Sequence, residues 1–168
     1  MDWPGDAGRV SVKKAQAAIA PLGLRAMSDQ RWILPADVDR VKVKPDHRVT
    51  LISSLDALFL LRRNVSDFVD AADAAREVRG EKHLDQLGGV TDLMFNAIMR
   101  GGRLTGLWEY DTTTESIAWI SFTTKDKDTQ DAVNQTETMI RAELQDARTF
   151  SLDSPKSRQP RIDWLRAQ

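Results

Sequence analysis

The chain has 168 residues and a formal net charge of −1, with 24 Lys and Arg against 25 Asp and Glu. Hydrophobic residues make up 41% and charged residues 29%, a balance that folds rather than staying disordered. The length suits one ordinary domain, or one domain with a partial neighbour. Cys is absent and only His47 and His83 represent histidine, which excludes disulfides, thiolate metal sites, a Cys nucleophile and a His-based metal centre. No apolar run approaches the roughly 18 residues that span a bilayer. The acidic, Pro-containing N-terminus also lacks the regions of a signal peptide. A soluble, cytoplasmic protein without metal, cofactor or membrane partner is expected.

The charge is divided along the chain. Residues 1–44 carry eight basic and five acidic side chains, residues 45–122 eight and twelve, and residues 123–168 eight of each. The N-terminal third is therefore the part suited to a polyanion, set against the bland reading of an ordinary solvated face.

Taken in order, Trp3-Pro4-Gly5 is a turn signature. Ser11 caps a predicted helix running to about Leu22, with Val12, Ala15, Ile19 and Leu22 at helical spacing on one face. Pro21 and Gly23 end it. Leu24–Met27 and Arg31–Leu34 read as two short strands around Ser28-Asp29-Gln30. A helix followed by a small hairpin is the second half of a winged helix, and Ala36–Lys44 is a short connection.

Beyond it, Val49–Ser53 is a predicted strand, Leu58–Leu61 a buried run, and Ser66 the start of a helical stretch to about Arg79. In that stretch Phe68, Val69, Ala72 and Val78 face a core, and Gly80–Gly89 is a polar loop. Phe95–Arg100 and Arg103–Tyr110 enclose Gly101-Gly102, a pair that accepts the positive φ values of a two-residue hairpin turn. Ile117–Phe122 returns to complete a meander, which needs Val49–Ser53 and further strands to close a barrel. Asp128 caps a helix to about Ala147, with Val133, Ile140, Leu144 and Ala147 inward. Lys156, Arg158, Arg161 and Arg166 make a basic tail.

Catalytic patterns are missing. Gly101-Gly102 lacks the Lys and Ser/Thr of a phosphate loop and lies between strands. Ser53-Ser54-Leu55-Asp56 reads as a turn. Glu109 and Asp111 share a strand face, suited to acid–base work in principle and read here as carboxylates at an exposed strand end. Trp108 and Trp119 fall on adjacent strands and read as core. Lys13, Lys14, Arg25 and Arg31 suit phosphate contacts from the helix start and wing, or simple solvation, and no base-reading side chain stands out on the helix.

Two strings go further. Gly102-Arg103-Leu104-Thr105-Gly106-Leu107-Trp108-Glu109-Tyr110-Asp111 and Phe150-Ser151-Leu152-Asp153-Ser154-Pro155-Lys156-Ser157-Arg158 resemble segments of the AlkZ-like family of winged-helix DNA-binding proteins. That family includes bacterial DNA glycosylases that excise alkylated bases or act on interstrand crosslinks. Leu34-Pro35 and Ser54-Leu55-Asp56 fit its pattern in the same order. The resemblance covers nearly the whole chain but only the C-terminal part of a family member. It implies tandem winged helices and a β-barrel-like domain clasping duplex DNA, with a barrel hairpin at the minor groove. Arg100 and Arg103 then flank the hairpin tip.

The family's catalytic Gln-x-Gln or Gln-x-Asp occurs nowhere in the sequence, so no catalytic residue carries over. Phe95-Asn96 stands where a His pair is common in the family. Trp3-Pro4-Gly5 matches the turn within the family's last helix-turn-helix, so the chain is expected to begin partway through that unit. Val12, Ala15, Ile19 and Leu22 then need a cover, either residues 45–168 or a second copy in a homodimer.

The expected fold is α+β: a partial winged helix (residues 1–44) packed on a small antiparallel, β-barrel-like sheet with a long C-terminal helix and basic tail (residues 45–168). The expected function is non-catalytic binding of double-stranded DNA through Lys13, Lys14, Arg25, Arg31, Arg100 and Arg103. The alternative is a protein-interaction or structural subunit that binds no nucleic acid. Release of free alkylated base would point to a glycosylase instead.

Overall fold

A computed structural model describes residues 11–27, 31–62, 64–124, 126–148 and 153–168. The readings at Trp3-Pro4-Gly5, Ser28-Asp29-Gln30 and Phe150-Ser151-Leu152 lie outside the described residues. The protein is a mixed α+β chain with antiparallel sheets and a C-terminal helix. It divides into two compact units, Met1–Lys44 and Pro45–Gln168.

In the N-terminal unit the Ser11 hydroxyl accepts the Lys14 amide at 3.3 Å and opens helix α1, Val12–Ile19. This satisfies one of the donors that every helix start leaves over. A tighter turn over Ala20–Leu22 follows, and Gly23, at φ 57°, stops the chain in the left-handed region where a side chain is strained. Strands β1 (Arg25–Ala26) and β2 (Trp32–Ile33) then pair antiparallel, Arg25 opposite Ile33. Two single 3-10 turns, Pro35–Asp37 and Arg40–Lys42, complete the connection. No described residue of this unit is buried.

The C-terminal unit is built on β3 (Val49–Ile52), β6 (Asn96–Arg100), β7 (Arg103–Asp111) and β8 (Ser116–Ser121), hydrogen-bonded in that order and all antiparallel. Gly101 and Gly102, at φ 58° and 79°, make the β6–β7 turn. A bulge at Ile98/Met99 leaves Thr105 as the extra residue, and its hydroxyl bonds the Ile98 carbonyl. Among the described residues the sheet is open, with β3 and β8 at its edges, so the expected barrel closure is not formed.

Period-two alternation sends the strands' side chains to two cores. Ile98, Trp108, Tyr110 and Ile117 pack with Val133 and Ile140 from the helical segment beginning with α3 (Lys127–Met139). Ala97, Met99, Leu107 and Ala118 pack with Ile162 and Leu165 of α4 (Pro155–Arg166) and with Phe59, Phe68, Val78 and Leu87.

Several sequence expectations are corrected here. Leu58–Leu61 is not a buried run. It lies in α2 (Ala57–Arg62), a short helix of which Phe59 is the only buried residue among those described, while Leu61 is 84% exposed. Ser66–Arg79 is not a helix: a 3-10 turn over Val65–Asp67 and successive turns lead into β4, Glu77–Arg79. Asp70 and Asp73 lie in these turns, in keeping with the preference of Asp for turns over helix interiors.

Phe68, Val69 and Val78 are buried as expected, but Ala72 is exposed. The loop expected at Gly80–Gly89 contains β5 (Leu84–Gln86), paired with β4, and the fully buried Leu87. The cap of α3 is Asp126, not Asp128. A π-helical turn over Ile140–Leu144 ends that helical segment and leaves Leu144 exposed.

Candidate functional site

The six cations singled out from sequence fall into two sets. Lys13 and Lys14 lie in the first turn of α1, Arg25 on β1 and Arg31 just before β2, all exposed. Among the described residues no carboxylate forms an ion pair with Lys13, Lys14 or Arg25, whereas the neighbouring Arg40 and Lys42 pair with Asp37 and Asp39.

Arg100 and Arg103 behave differently. Arg100 forks onto both oxygens of Asp126 at 2.7 and 2.9 Å, and Arg103 reaches Asp70 at 3.4 Å. The hairpin flanks are thus partly neutralised by the protein's own acids.

Glu109 and Asp111 are not at an exposed strand end. They are 2% and 3% exposed and face α4. Arg161 Nε donates to Glu109 Oε1 at 2.7 Å, and its Nη2 to Asp153 at 3.2 Å. Arg158, fully buried, donates to Asp146 at 2.7 Å and weakly to the Tyr110 carbonyl at 3.4 Å. Its Nε lies 3.6 Å from Asp153, too far for a hydrogen bond. Arg166 closes the row on Asp111 at 2.8 Å.

Burial pushes the Glu109 carboxyl up to about 7, with Arg161 opposing the shift. Burial also opposes ionisation of Asp111, but the Thr113 amide, Arg166 and the Thr114 hydroxyl more than offset it and hold its carboxyl below the usual range. The expected basic tail is therefore mostly spent inside the protein, with Lys156 left exposed. The segments 102–111 and 153–158 touch where Arg158 reaches the Tyr110 carbonyl, and Arg161, beyond both, links Glu109 to Asp153. No local pattern signals it, because Glu109 and Arg161 are 52 residues apart.

The aromatic residues follow the core reading in part. Trp108 is buried opposite Trp119, and its Nε1–H donates to the Ala97 carbonyl at 3.1 Å. Trp32 stands 64% exposed. Ser53 and Asp56 act as turn formers, accepting the amides of Leu55 and Leu58. Among the described residues no group of three or more His, Asp or Glu is arranged to hold a metal ion, and no helix is long and apolar enough to cross a membrane. No family model, curated protein or solved structure matches the chain.

Proposed function

We propose that the protein is a DNA-binding module, non-catalytic as it stands, in which the N-terminal unit is the second half of a winged helix and meets the phosphates of duplex DNA. The observation that supports this reading is the exposure of Lys13, Lys14 and Arg25, which have no acidic partner among the described residues, in the unit of positive net charge. Arg31, also exposed, lies just before β2. Arg100 and Arg103 contribute less, because Asp126 and Asp70 already hold them. No reacting group is assigned, in keeping with the absence of the family's Gln-x-Gln or Gln-x-Asp.

Fluorescence anisotropy with a labelled duplex tests this. Three phosphate contacts give an affinity that falls about 40-fold between 50 and 200 mM salt. Lys13→Glu/Lys14→Glu and Arg25→Glu variants should each lose most of it, whereas Lys156→Glu should not. A flat salt response overturns the reading.

A second reading is favoured by the same unit's apolar surface. Val12 is 73% exposed, Ala15, Ile19 and Leu22 are also open, and a groove of about 380 Å³ is lined by Ile19, Ala20, Leu24 and Trp32. Such a face suits a second copy or another chain. Sedimentation at micromolar concentration separates the two readings: a monomer that binds DNA supports the first, and a dimer indifferent to DNA supports the second.

A further inference from the structure

We propose that the cavity between the sheet and the end of the α3 helical segment binds a small carboxylate with a compact hydrocarbon body, of about the size of benzoate. The cavity measures about 200 Å³. Leu51 of β3, Trp108 of β7, and Ile140 and Leu144 of the π-helical turn give it apolar walls. A π turn inside a helical segment is a frequent feature of functional sites. A cavity of about 150 Å³ with walls of this kind accommodates a benzene ring, so one ring or a short branched chain suits the space.

The polar groups that line the cavity select the other end of the ligand. Asn96, opposite Trp108 in the β6–β7 ladder, is 2% exposed. Its Oδ1 accepts the Ser54 amide at 3.0 Å, which fixes Nδ2 as the free end of the side chain. Among the described residues this Nδ2 donates to no acceptor. Nor is it sealed in, because Arg158 Nε is the one fully enclosed side-chain nitrogen or oxygen there without a partner. The small surface that Asn96 retains therefore opens on the cavity it lines, and a buried amide of this kind gains from an incoming acceptor.

Ser53, whose hydroxyl accepts the Leu55 amide, keeps its own proton to donate. Trp108 adds only its ring, since its Nε1–H is taken by the Ala97 carbonyl. Arg148 is the only charged side chain among the described lining residues. It is exposed, and its ion pair with Asp146, at 3.9 Å, is too long for a hydrogen bond. Asp146 is itself held by Arg158 at 2.7 Å. Two neutral donors and a cation beside hydrocarbon walls suit an acceptor that carries negative charge, and a carboxylate is both. The site lies wholly in the C-terminal unit and is independent of DNA binding.

The test is a titration of the nitrogen-15-labelled full chain with sodium benzoate to about 20 mM at constant ionic strength, followed by NMR. The Asn96 side-chain amide and the Trp108 indole signals should move together and saturate, with the midpoint at or below about 10 mM. Benzylamine, with the same ring and the opposite charge, should leave both unmoved. Asn96→Asp keeps an oxygen for the Ser54 amide but presents a second oxygen in place of Nδ2. Read at the Trp108 indole and neutral pH, it should weaken benzoate binding by at least about tenfold. Ala147→Leu, which extends a lining side chain into the cavity, should do the same, and it decides the matter should Asn96→Asp fail to fold. No saturating shift at these two groups, an equal response to benzylamine, or unchanged affinity in either folded variant overturns the site.

Discussion

Arg100, the last residue of β6, grips both carboxylate oxygens of Asp126, the residue that caps α3. One side chain thereby fastens the edge of the hairpin turn to the start of a helix 26 residues further on. The same contact leaves Arg100 largely neutralised by the protein's own carboxylate.

Asp126→Ala should therefore lower the melting temperature clearly, while Asp128→Ala should be almost neutral. The Arg100 hydrogen bonds, then those from the Thr129 amide and hydroxyl, hold the Asp126 carboxyl well below the usual carboxylate range. Its contribution is present above the ordinary aspartate value and is lost as pH falls through the lower, folded one. Circular dichroism melts at neutral and acidic pH check both points: the gap between the two variants should narrow in acid.

Gly106→Ala should destabilise by at least about 2 kcal/mol. A Cβ there strikes the backbone carbonyl of Ile120 and crowds Ile98 Cδ1 at 3.1 Å, and a carbonyl within a sheet has little room to give. Gly102→Ala meets nothing within 4 Å but sits at φ +79°, so its cost of about 1 kcal/mol is purely conformational. Urea denaturation of the pair separates collision from backbone strain.

Phe59→Ala should cost about 3–5 kcal/mol, because the ring is buried edge-on to Phe68 with centroids 5.4 Å apart. Leu61→Gln, two residues away on the outward side of α2, should change stability by less than about 0.5 kcal/mol. Equal losses would mean that the leucine run is buried after all.

Arg158→Met should cost about 3–5 kcal/mol, since it removes a fully buried guanidinium that pairs with both Asp146 and the buried Asp153. Arg158→Lys should recover only part of this, because an ammonium cannot address Asp146, Asp153 and the Tyr110 carbonyl from one planar group. Chemical denaturation of both variants measures the difference.

The sequence was most legible where a residue type has a local reason to be where it is. Ser11, Gly23 and the Gly101-Gly102 pair each answer a backbone requirement within a few residues, and the elements around them are as expected. The strand Val49–Ile52 also joined the meander, through β6. Ser66–Arg79 imitates a helix in sequence because Phe68, Val69 and Val78 are inward for unrelated reasons, two from turns and one from a strand, at spacings that a helix would also give.

Leu87 was hidden by its polar neighbours, since one buried residue in a short hairpin leaves no period to detect. Asp126 and Asp128 are equally good caps in isolation, and Arg100 accompanies the choice of the first. Of the candidate site, Lys13, Lys14 and Arg25 are exposed, each placed by elements whose local signals lie within a few residues. The fate of Arg100, Glu109, Arg158 and Arg161 depended on tertiary partners that no window of sequence contains.

The placement of α4 bears on how the protein is made. The helix is synthesised after every strand it covers, yet it supplies Ile162 and Leu165 to the sheet and the arginines that answer Glu109 and Asp111. While the ribosome is still adding these residues, the part of that core completed by Ile162 and Leu165 is open, and Glu109 and Asp111 lack the arginines that answer them. The C-terminal unit therefore completes its folding only once residue 166 has cleared the exit tunnel, and a message truncated within α4 yields a product that quality-control proteases will find.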